Sequence, residues 1–432
     1  MERNLITKLV AWKDRKRRKP LILEGARQVG KTWLLTKFGA EYFQDVAYFS
    51  FENNPSLADF FKDNISPTRL INSLSLLRGK KIVCGETLII FDEIQESNRA
   101  LNSLKYFCEE MPDQHIVCAG SLLGVTLSSP SSFPVGKVDF ERLYPMNFNE
   151  FLKANNKKML ADYITDKSDL TSIPMPIFKE LEQYLTYYFV TGGMPAVVAS
   201  WIEGQDIDAV DRELHNILRS YELDFSKHPP LSDIPKIQHI WGSIPSQLAK
   251  ENRKFRYNKV KSGARAREYE NALTWLEKAG FILKVHAVTT GHFPLSAYKD
   301  SSMFKIFLLD IGLLRILSRL SAAMILNGDS GYSLFGGALA ENFIAGELLT
   351  FTGDVPYYWR SKATAEIDFI IQRNDVVVPI EVKSGTNVYS QSMKVYREKY
   401  KPERSLRFSM KNITHDSGLT NLPLFFVQSK LW

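Results

Sequence analysis

Cysteine is scarce in this 432-residue sequence, which has only Cys84, Cys108 and Cys118. An odd, small number without CxxC spacing excludes a disulfide framework and a cysteine-based zinc site. Each has apolar flanks and is expected to pack as a small hydrophobe. The seven histidines are scattered without metal-ligand spacing, and no Ser-His-Asp pattern has local support. No apolar run reaches the roughly 18 residues that mark a membrane-spanning helix. The opening segment MERNLITKLVAWKDRKRRKP has a basic run, Lys13 to Lys19, without the apolar stretch of a signal peptide. That run is expected to be a solvated helix end before the first strand. Internal repeats and long low-complexity tracts are also lacking. These absences predict a cytoplasmic protein with no membrane contact.

Hydrophobic residues make up 44% and charged residues 24%, the balance of a globular protein with ample core. The length predicts two or three domains. A formal net charge of +7 and a pI near 9.0 permit contact with nucleic acid without requiring it, so the placement of the charge matters more.

The first 150 residues alternate short apolar runs with helical stretches, which predicts a parallel α/β sheet. Strands are expected at Pro20 to Glu24, Val46 to Phe51, Thr87 to Phe91 and His115 to Ala119, with a helix over Lys31 to Phe38. Between the first strand and that helix lies Gly25-Ala26-Arg27-Gln28-Val29-Gly30-Lys31-Thr32, a full GxxxxGK(S/T) loop. Its glycines let backbone N–H groups turn around phosphates, and the helix N-terminus adds positive potential. Lys31 would reach the β- and γ-phosphates of ATP, and the Thr32 hydroxyl would ligate Mg²⁺. Downstream, Leu88-Ile89-Ile90-Phe91-Asp92-Glu93 ends an apolar strand in two acids. Asp92 is placed for the Mg²⁺ ion and Glu93 to polarise an attacking water. Gly120-Ser121 ends another strand, where Ser121 could sense the γ-phosphate or be a plain turn serine.

Taken together, these residues resemble an AAA-type P-loop ATPase. More narrowly, the pieces KPLILEGARQVGKT, TLIIFDEIQE, HIVCAGSLLG, LYPMNFNEFL and YFVTGGMPAVV resemble a large prokaryotic family that joins such an ATPase to a C-terminal domain of unknown function. The resemblance implies an arginine at the γ-phosphate, often from a neighbouring subunit. Arg142 is the first candidate and Arg99 the second. Many AAA-type ATPases form rings, but no interface signal in this sequence is decisive. Thr191-Gly192-Gly193-Met194-Pro195 reads as a helix break rather than a phosphate loop, because no lysine follows.

In the middle, a short helix (Ser246 to Glu251), a longer one (Arg265 to Ala279) and a strand (Phe281 to Val288) resemble a winged helix. Eight Lys or Arg and one acid fall between Lys250 and Arg267, with Phe255 and Tyr257 interleaved. Such a stripe suits a DNA backbone. The competing reading is a spacer or protein contact with solvated lysines.

Toward the C-terminus, Glu341 lies in a helical run, Asp368 opens the strand DFIIQ, and Glu381 and Lys383 share a face of VVVPIEVKSG. One hairpin would bring Asp368 and Glu381 to adjacent strand positions. Two carboxylates can hold Mg²⁺ for phosphodiester hydrolysis, with a lysine orienting the water and a helix Glu completing the shell. The order resembles the PD-(D/E)XK nuclease superfamily, with Glu341, Asp368 and Glu381 as implied metal ligands and Lys383 as the catalytic lysine. Trp359-Arg360-Ser361 and Glu366 also fit the C-terminal domain of the ATPase family. The alternative is a fold retained for binding, with Glu381 and Lys383 as an ion pair.

The predicted architecture is a P-loop ATPase domain (1–155), a helical region (156–235), a winged-helix-like domain (236–300) and a restriction-endonuclease-like α/β domain (301–432). Two functions follow. One is an ATPase coupled to a module that binds or cuts DNA. The other is a nucleotide-dependent switch or scaffold that cuts nothing.

Overall fold

The computed structural model describes residues 1–62, 65–121, 134–226, 229–249, 253–328, 330–361, 364–385 and 391–432, with 121 and 330–334 described for the backbone alone. The stretch SSPSSFP at 128–134, whose Ser and Pro residues mark it as a turn-rich loop, lies outside these residues apart from Pro134. The chain divides into two compact units, Glu2–Tyr144 with Lys278–Gly280, and Pro145–Glu277 with Phe281–Trp432 and Met1. The first division falls at Tyr144, ahead of the boundary expected at 155.

The N-terminal unit contains α1 (Ile6–Lys13), β1 (Leu21–Gly25), α2 (Lys31–Tyr42), β2 (Asp45–Ser50), α3 (Pro67–Arg78), β3 (Thr87–Asp92), α4 (Asn98–Glu110), β4 (Ile116–Ser121) and β5 (Asp139–Arg142). Its strands form a parallel sheet in the order β2-β3-β4-β1-β5. β3 reads TLIIFD and is buried along its whole length. A parallel strand covered on both faces takes such a continuous apolar run. Phe51, Phe61 and Phe91 pack as a ring cluster on one side of the sheet, with centroids 5.7 to 6.0 Å apart. Because β4 lies between β1 and β3, its end separates the glycine loop from Asp92. Loops at the carboxyl ends of parallel strands share one edge of the sheet, where ligands bind in such folds. Of the three cysteines, only Cys118 packs as expected. Cys108 is partly covered, and Cys84 is exposed because it lies in the surface turn leading into β3.

The second unit begins with α5 (Phe148–Ala154), α6 (Lys158–Asp166), α7 (Met175–Thr191), α8 (Pro195–Gly204), α9 (Ile207–Asp224), α10 (Ile234–Leu248), α11 (Tyr257–Val260) and α12 (Ala266–Lys278). There follow β6 (Ile282–Val288), β7 (Lys299–Leu308), α13 (Ile311–Leu317), α14 (Ala322–Asn327), α15 (Ser330–Thr352), β8 (Tyr357–Arg360), β9 (Glu366–Arg373), β10 (Val376–Val382), α16 (Gln391–Tyr400), β11 (Ser405–Ser409), β12 (Thr414–Asp416) and β13 (Leu419–Pro423). The strands form one mixed sheet, β12-β13-β11-β10-β9-β8-β6-β7.

Two expectations for the middle change. The residues from 246 do not start a short helix. They end α10, which runs through Pro245, and residues 250–252 lie outside the described set. β6 is no free-standing wing. It pairs antiparallel with β7 and in parallel with β8, so its apolar residues are covered within the C-terminal sheet. The boundary expected at 300 falls inside β7.

The expected break at 191–193 is present and has a physical cause. The Gly193 carbonyl accepts a bond from the Met146 N–H at 2.7 Å, and the Gly193 N–H donates to Asp310 Oδ2 at 2.6 Å. The Tyr188 hydroxyl donates to the Met146 carbonyl at 2.6 Å. A Cβ on Gly193 would stand 2.0 Å from the Met146 oxygen, so only glycine fits. LYPMNFNEFL and TGGMPAVV are therefore two halves of one internal clasp. Beside it, Glu347 accepts from the Phe148 N–H at 2.8 Å and from Gln428 at 2.9 Å. Burial pushes the Glu347 carboxyl up to about 7 and that of Asp310 up to about 6.

The β9–β10 hairpin turns at Asn374-Asp375, both with positive φ, between the paired Arg373 and Val376. This is the two-residue primed turn that matches strand twist. No helix among the described residues is long and apolar enough to cross a membrane.

Candidate nucleotide site and C-terminal charged cluster

The glycine loop leaves β1 at Gly25 and enters α2 at Lys31. Gly30 has φ 92°, a left-handed conformation that suits glycine, and Gln28 shares that region at φ 65°. A Cβ on Gly25 would stand 2.4 Å from the Leu143 carbonyl oxygen. Ala26 and Val29 are buried, Arg27 is half-buried and Gln28 exposed. No side chain caps the N-terminus of α2. Its first N–H groups therefore face the loop without an intrahelical partner, which is the arrangement that favours an anion.

Lys31 is 7% exposed, and its ammonium donates to the carbonyls of Gly25 and Ala26, each at 3.0 Å. Burial lowers its pKa, against the opposing pull of Glu93 and Asp92. Lys31 is thus folded back onto its own loop.

Asp92 ends β3. Its Oδ2 accepts from Thr32 Oγ1 at 3.0 Å and from the Tyr48 hydroxyl at 2.6 Å, and its Oδ1 accepts from the Glu93 N–H at 3.2 Å. Glu93 has φ 51°, and its carboxylate accepts from Gln95 Nε2. A hydroxyl and a carboxylate oxygen sharing one hydrogen bond form the hard donor set that Mg²⁺ prefers, so these residues fit that ion.

Ser121 is the last residue of β4 and pairs with Gly25, placing its backbone beside the loop; its side chain lies outside the described set. Arg142 ends β5 in register with Glu24. It is exposed, and its guanidinium lies over the Tyr144 ring, 5.2 Å from the centroid. Burial raises the Glu24 carboxyl, and Arg142 pulls it back down. Arg99 is exposed in the first turn of α4.

Two contacts to this site have no signature in the sequence. Arg3, buried, donates to the Val29 carbonyl at 2.9 Å and the Tyr144 carbonyl at 2.6 Å, bracing the glycine loop against the exit of β5. Tyr48 lies two residues before the Ser50 that pairs with Asp92, so alternation puts it on the same face. That alternation was available as a signal, but only once β2 and β3 are known to be neighbours.

In the second unit, the hairpin brings Asp368 and Glu381 to adjacent strands as expected, and Asp368 Oδ2 accepts from the Val382 N–H at 2.8 Å. The expected metal set does not form. Among the described residues, no three His, Cys, Asp or Glu side chains are grouped to hold a metal ion. Fixed cations take the carboxylates instead. Glu381 pairs with Lys383 at 3.2 Å and with Arg407 Nε at 3.2 Å. Glu341 pairs with Arg253 and stands 3.6 Å from the Lys305 ammonium, which in turn pairs with Glu366 at 2.7 Å. Thus Glu341, Asp368 and Glu381 do not fit a metal as they stand, and Lys383 is engaged in an ion pair.

Within the basic 250–267 segment, Arg256, Lys259, Lys261, Arg265 and Arg267 are exposed. Phe255 is buried and stacks on Phe304 at 5.2 Å, with Tyr257 edge-on to it at 5.0 Å. These aromatics anchor the segment to β7 instead of being offered to bases.

Residues 17–152 match the AAA domain family, 182–323 a domain of unknown function (DUF8612) and 336–425 a further domain of unknown function (DUF4143). No curated protein matches the chain. Similar solved structures include a Walker-type ATPase of Pyrococcus abyssi, at 16% identity and TM-score 0.46, covering 73% of this chain and 95% of that one. Others are the ORC1 protein of Aeropyrum pernix in complex with DNA (13% identity, TM-score 0.29, covering 75% and 90%) and Thermotoga maritima RuvB (15%, 0.31, 65% and 89%).

Proposed function

We propose that this chain binds and hydrolyses ATP with Mg²⁺ at the carboxyl edge of the N-terminal sheet. The observation that carries the reading is the convergence of Lys31, Thr32 and Asp92 at the uncapped start of α2. ATP entering the loop offers Lys31 phosphate oxygens in place of the Gly25 and Ala26 carbonyls. The backbone of residues 25–30 then wraps the phosphates. Thr32 and Asp92 would hold the magnesium ion, whose charge offsets that of the phosphates. Glu93 orients and deprotonates the attacking water once Gln95 releases its carboxylate. Ser121 senses the γ-phosphate from the end of β4, and Arg142, exposed at the end of β5, serves the γ-phosphate of a neighbouring copy.

Of residues 236–300, only the helices up to α12 keep a winged-helix-like reading, since β6 belongs to the C-terminal sheet, and 301–432 are read as nuclease-like. The order α15–β8–β9–β10–α16–β11, with β8, β9 and β10 antiparallel and β11 parallel to β10, supports the second reading. The exposed arginines and lysines of 256–267 are the proposed DNA contact. The ion pairs on Glu341 and Glu381 favour a second reading, in which ATP turnover switches a module that binds without cutting.

The experiment uses the full chain with plasmid and single-stranded DNA, Mg²⁺ or Mn²⁺, and ATP present or absent. Lys31→Ala is expected to lose nucleotide binding, and Glu93→Gln to bind and not turn over. Normal hydrolysis by Glu93→Gln would refute its role. Cutting that disappears in Asp368→Ala and Lys383→Ala supports nuclease action, and normal ATP turnover with no cutting supports the switch.

A further inference from the structure

We propose that Arg253 closes the C-terminal charged cluster against divalent cations by supplying the positive charge that a metal ion would bring to Glu341, Glu366 and Asp368. The inference rests on reading residues 301–432 as nuclease-like, and it addresses why Glu341, one of the carboxylates of that reading, is not free for a metal ion.

Arg253 comes from outside the α15–β11 core. The segment after it is laid along β7. Lys254 bridges to Lys305, and the Phe255 N–H donates to the Phe304 carbonyl at 2.9 Å. Arg253 itself has φ 41°, an uncommon conformation for a side-chain-bearing residue, and its Nε donates to the Leu248 carbonyl at 3.2 Å. From this anchored start the guanidinium enters the cluster and pairs with Glu341, while Asp368 and Glu366 are the acids whose charges support it there. Room for it is left by Gly337, one helical turn before Glu341. A Cβ on Gly337 would stand 2.7 Å from Arg253 Nη2.

The pairing points the same way. Glu341 is paired by Arg253, while the buried Lys305 gives its 2.7 Å contact to Glu366. Withdrawing Arg253 leaves the Glu341 carboxylate with only the Lys305 ammonium, 3.6 Å away. The cluster is also under-satisfied. Glu341 is 3% exposed, yet its Oε2 accepts no hydrogen bond, since the Lys305 ammonium stands off at 3.6 Å. The buried Tyr358 hydroxyl, whose ring lies 5.1 Å from the Lys305 ammonium, also lacks a partner. Buried polar atoms are nearly always satisfied, so an orphaned carboxylate oxygen marks a place for a ligand. Oxygen donors of this kind suit Mg²⁺ or Mn²⁺.

The test counts Mn²⁺ ions bound to the full-length protein without nucleotide, by electron paramagnetic resonance. Arg253→Ala is expected to bind one more ion per chain than the wild type, and to gain thermal stability on adding Mn²⁺. Arg253→Ala with Glu341→Gln is expected to lose that ion. Arg253→Gln keeps a donor for Glu341 and serves if the alanine variant does not fold, as judged by circular dichroism. Gly337→Ala, which displaces the guanidinium without removing it, is expected to act in the same direction. Equal Mn²⁺ counts in wild type and Arg253 variants would overturn the proposal, as would an extra ion that survives Glu341→Gln. An extra ion without plasmid cleavage refutes the nuclease reading and leaves the closure standing. Cleavage by the wild type, with no gain in Arg253→Ala, refutes the closure and leaves the nuclease reading standing.

Discussion

Tyr48→Phe removes one oxygen atom from the nucleotide site and leaves the ring in place. In the structure, Asp92 Oδ2 is shared by Thr32 and Tyr48. If Thr32 turns its hydroxyl to a magnesium ion, Tyr48 becomes the remaining side-chain donor seen on that oxygen. Burial and the Asp92 charge drive the phenol's ionisation far up, so it stays a donor at any working pH. A hydrogen bond to a charged acceptor contributes roughly 1.5 to 3 kcal/mol. Tyr48 is 42% exposed, so water can replace part of it, and the low end applies. A loss of about 1.4 kcal/mol corresponds to about tenfold in an equilibrium constant. The half-saturating Mg²⁺ concentration for ATP hydrolysis is therefore expected to rise about tenfold, with nucleotide affinity in excess EDTA unchanged. An unaltered Mg²⁺ dependence in Tyr48→Phe would show that Asp92 is positioned without the phenol. Equal weakening with and without Mg²⁺ would place Tyr48 in the nucleotide pocket instead.

The second unit supplies the other predictions. Gly193→Ala drives a Cβ into the Met146 carbonyl and is expected to lower the stability of that unit by about 2 to 3 kcal/mol, measurable by urea denaturation. Glu347 and Asp310 have folded pKa values raised to about 7 and about 6 from ordinary values of 4.5 and 3.8. Each raised carboxyl favours the fold in its protonated form, so its contribution is full below the ordinary value and lost as pH rises through the folded one. Stability should therefore fall between pH 5 and pH 8, by on the order of 3 kcal/mol for Glu347 alone. Glu347→Gln should flatten that slope in denaturation curves taken across the range, and a slope unchanged by the substitution would remove Glu347 as its source.

Much of the N-terminal site is legible in the sequence because its signals are local. GARQVGKT spans one strand end and one helix start, and IIFDE is a single strand with its terminus. Residues that act across the sheet or from a distant segment leave no such trace. Arg3 reaches the loop from α1's approach, and Tyr48 matters because of which strand lies beside it. The C-terminal hairpin is legible for the same local reason, since Asp368 and Glu381 flank one turn. Its charge state is not, because Arg253, Lys305 and Arg407 arrive from elements far along the chain. Phe255 illustrates the opposite error. Its place in a basic stretch suggests exposure to a ligand, whereas pairing along β7 buries it against Phe304. The strand at 282–288 was legible as a strand, but sheet membership depends on β8, which lies about 70 residues later.

The two-residue turn at Asn374-Asp375 has a consequence for how this domain can vary. Side chains on β10 alternate between faces, so one residue inserted while the two-residue turn is kept would slip the pairing and shift the whole strand by one step. Glu381 would exchange places with Ile380 and Val382, delivering a carboxylate to the hydrophobic interior and an aliphatic chain to Arg407. A single insertion is harmless only where the loop itself absorbs it and the ladder holds, so the register set at this turn fixes the face of Glu381.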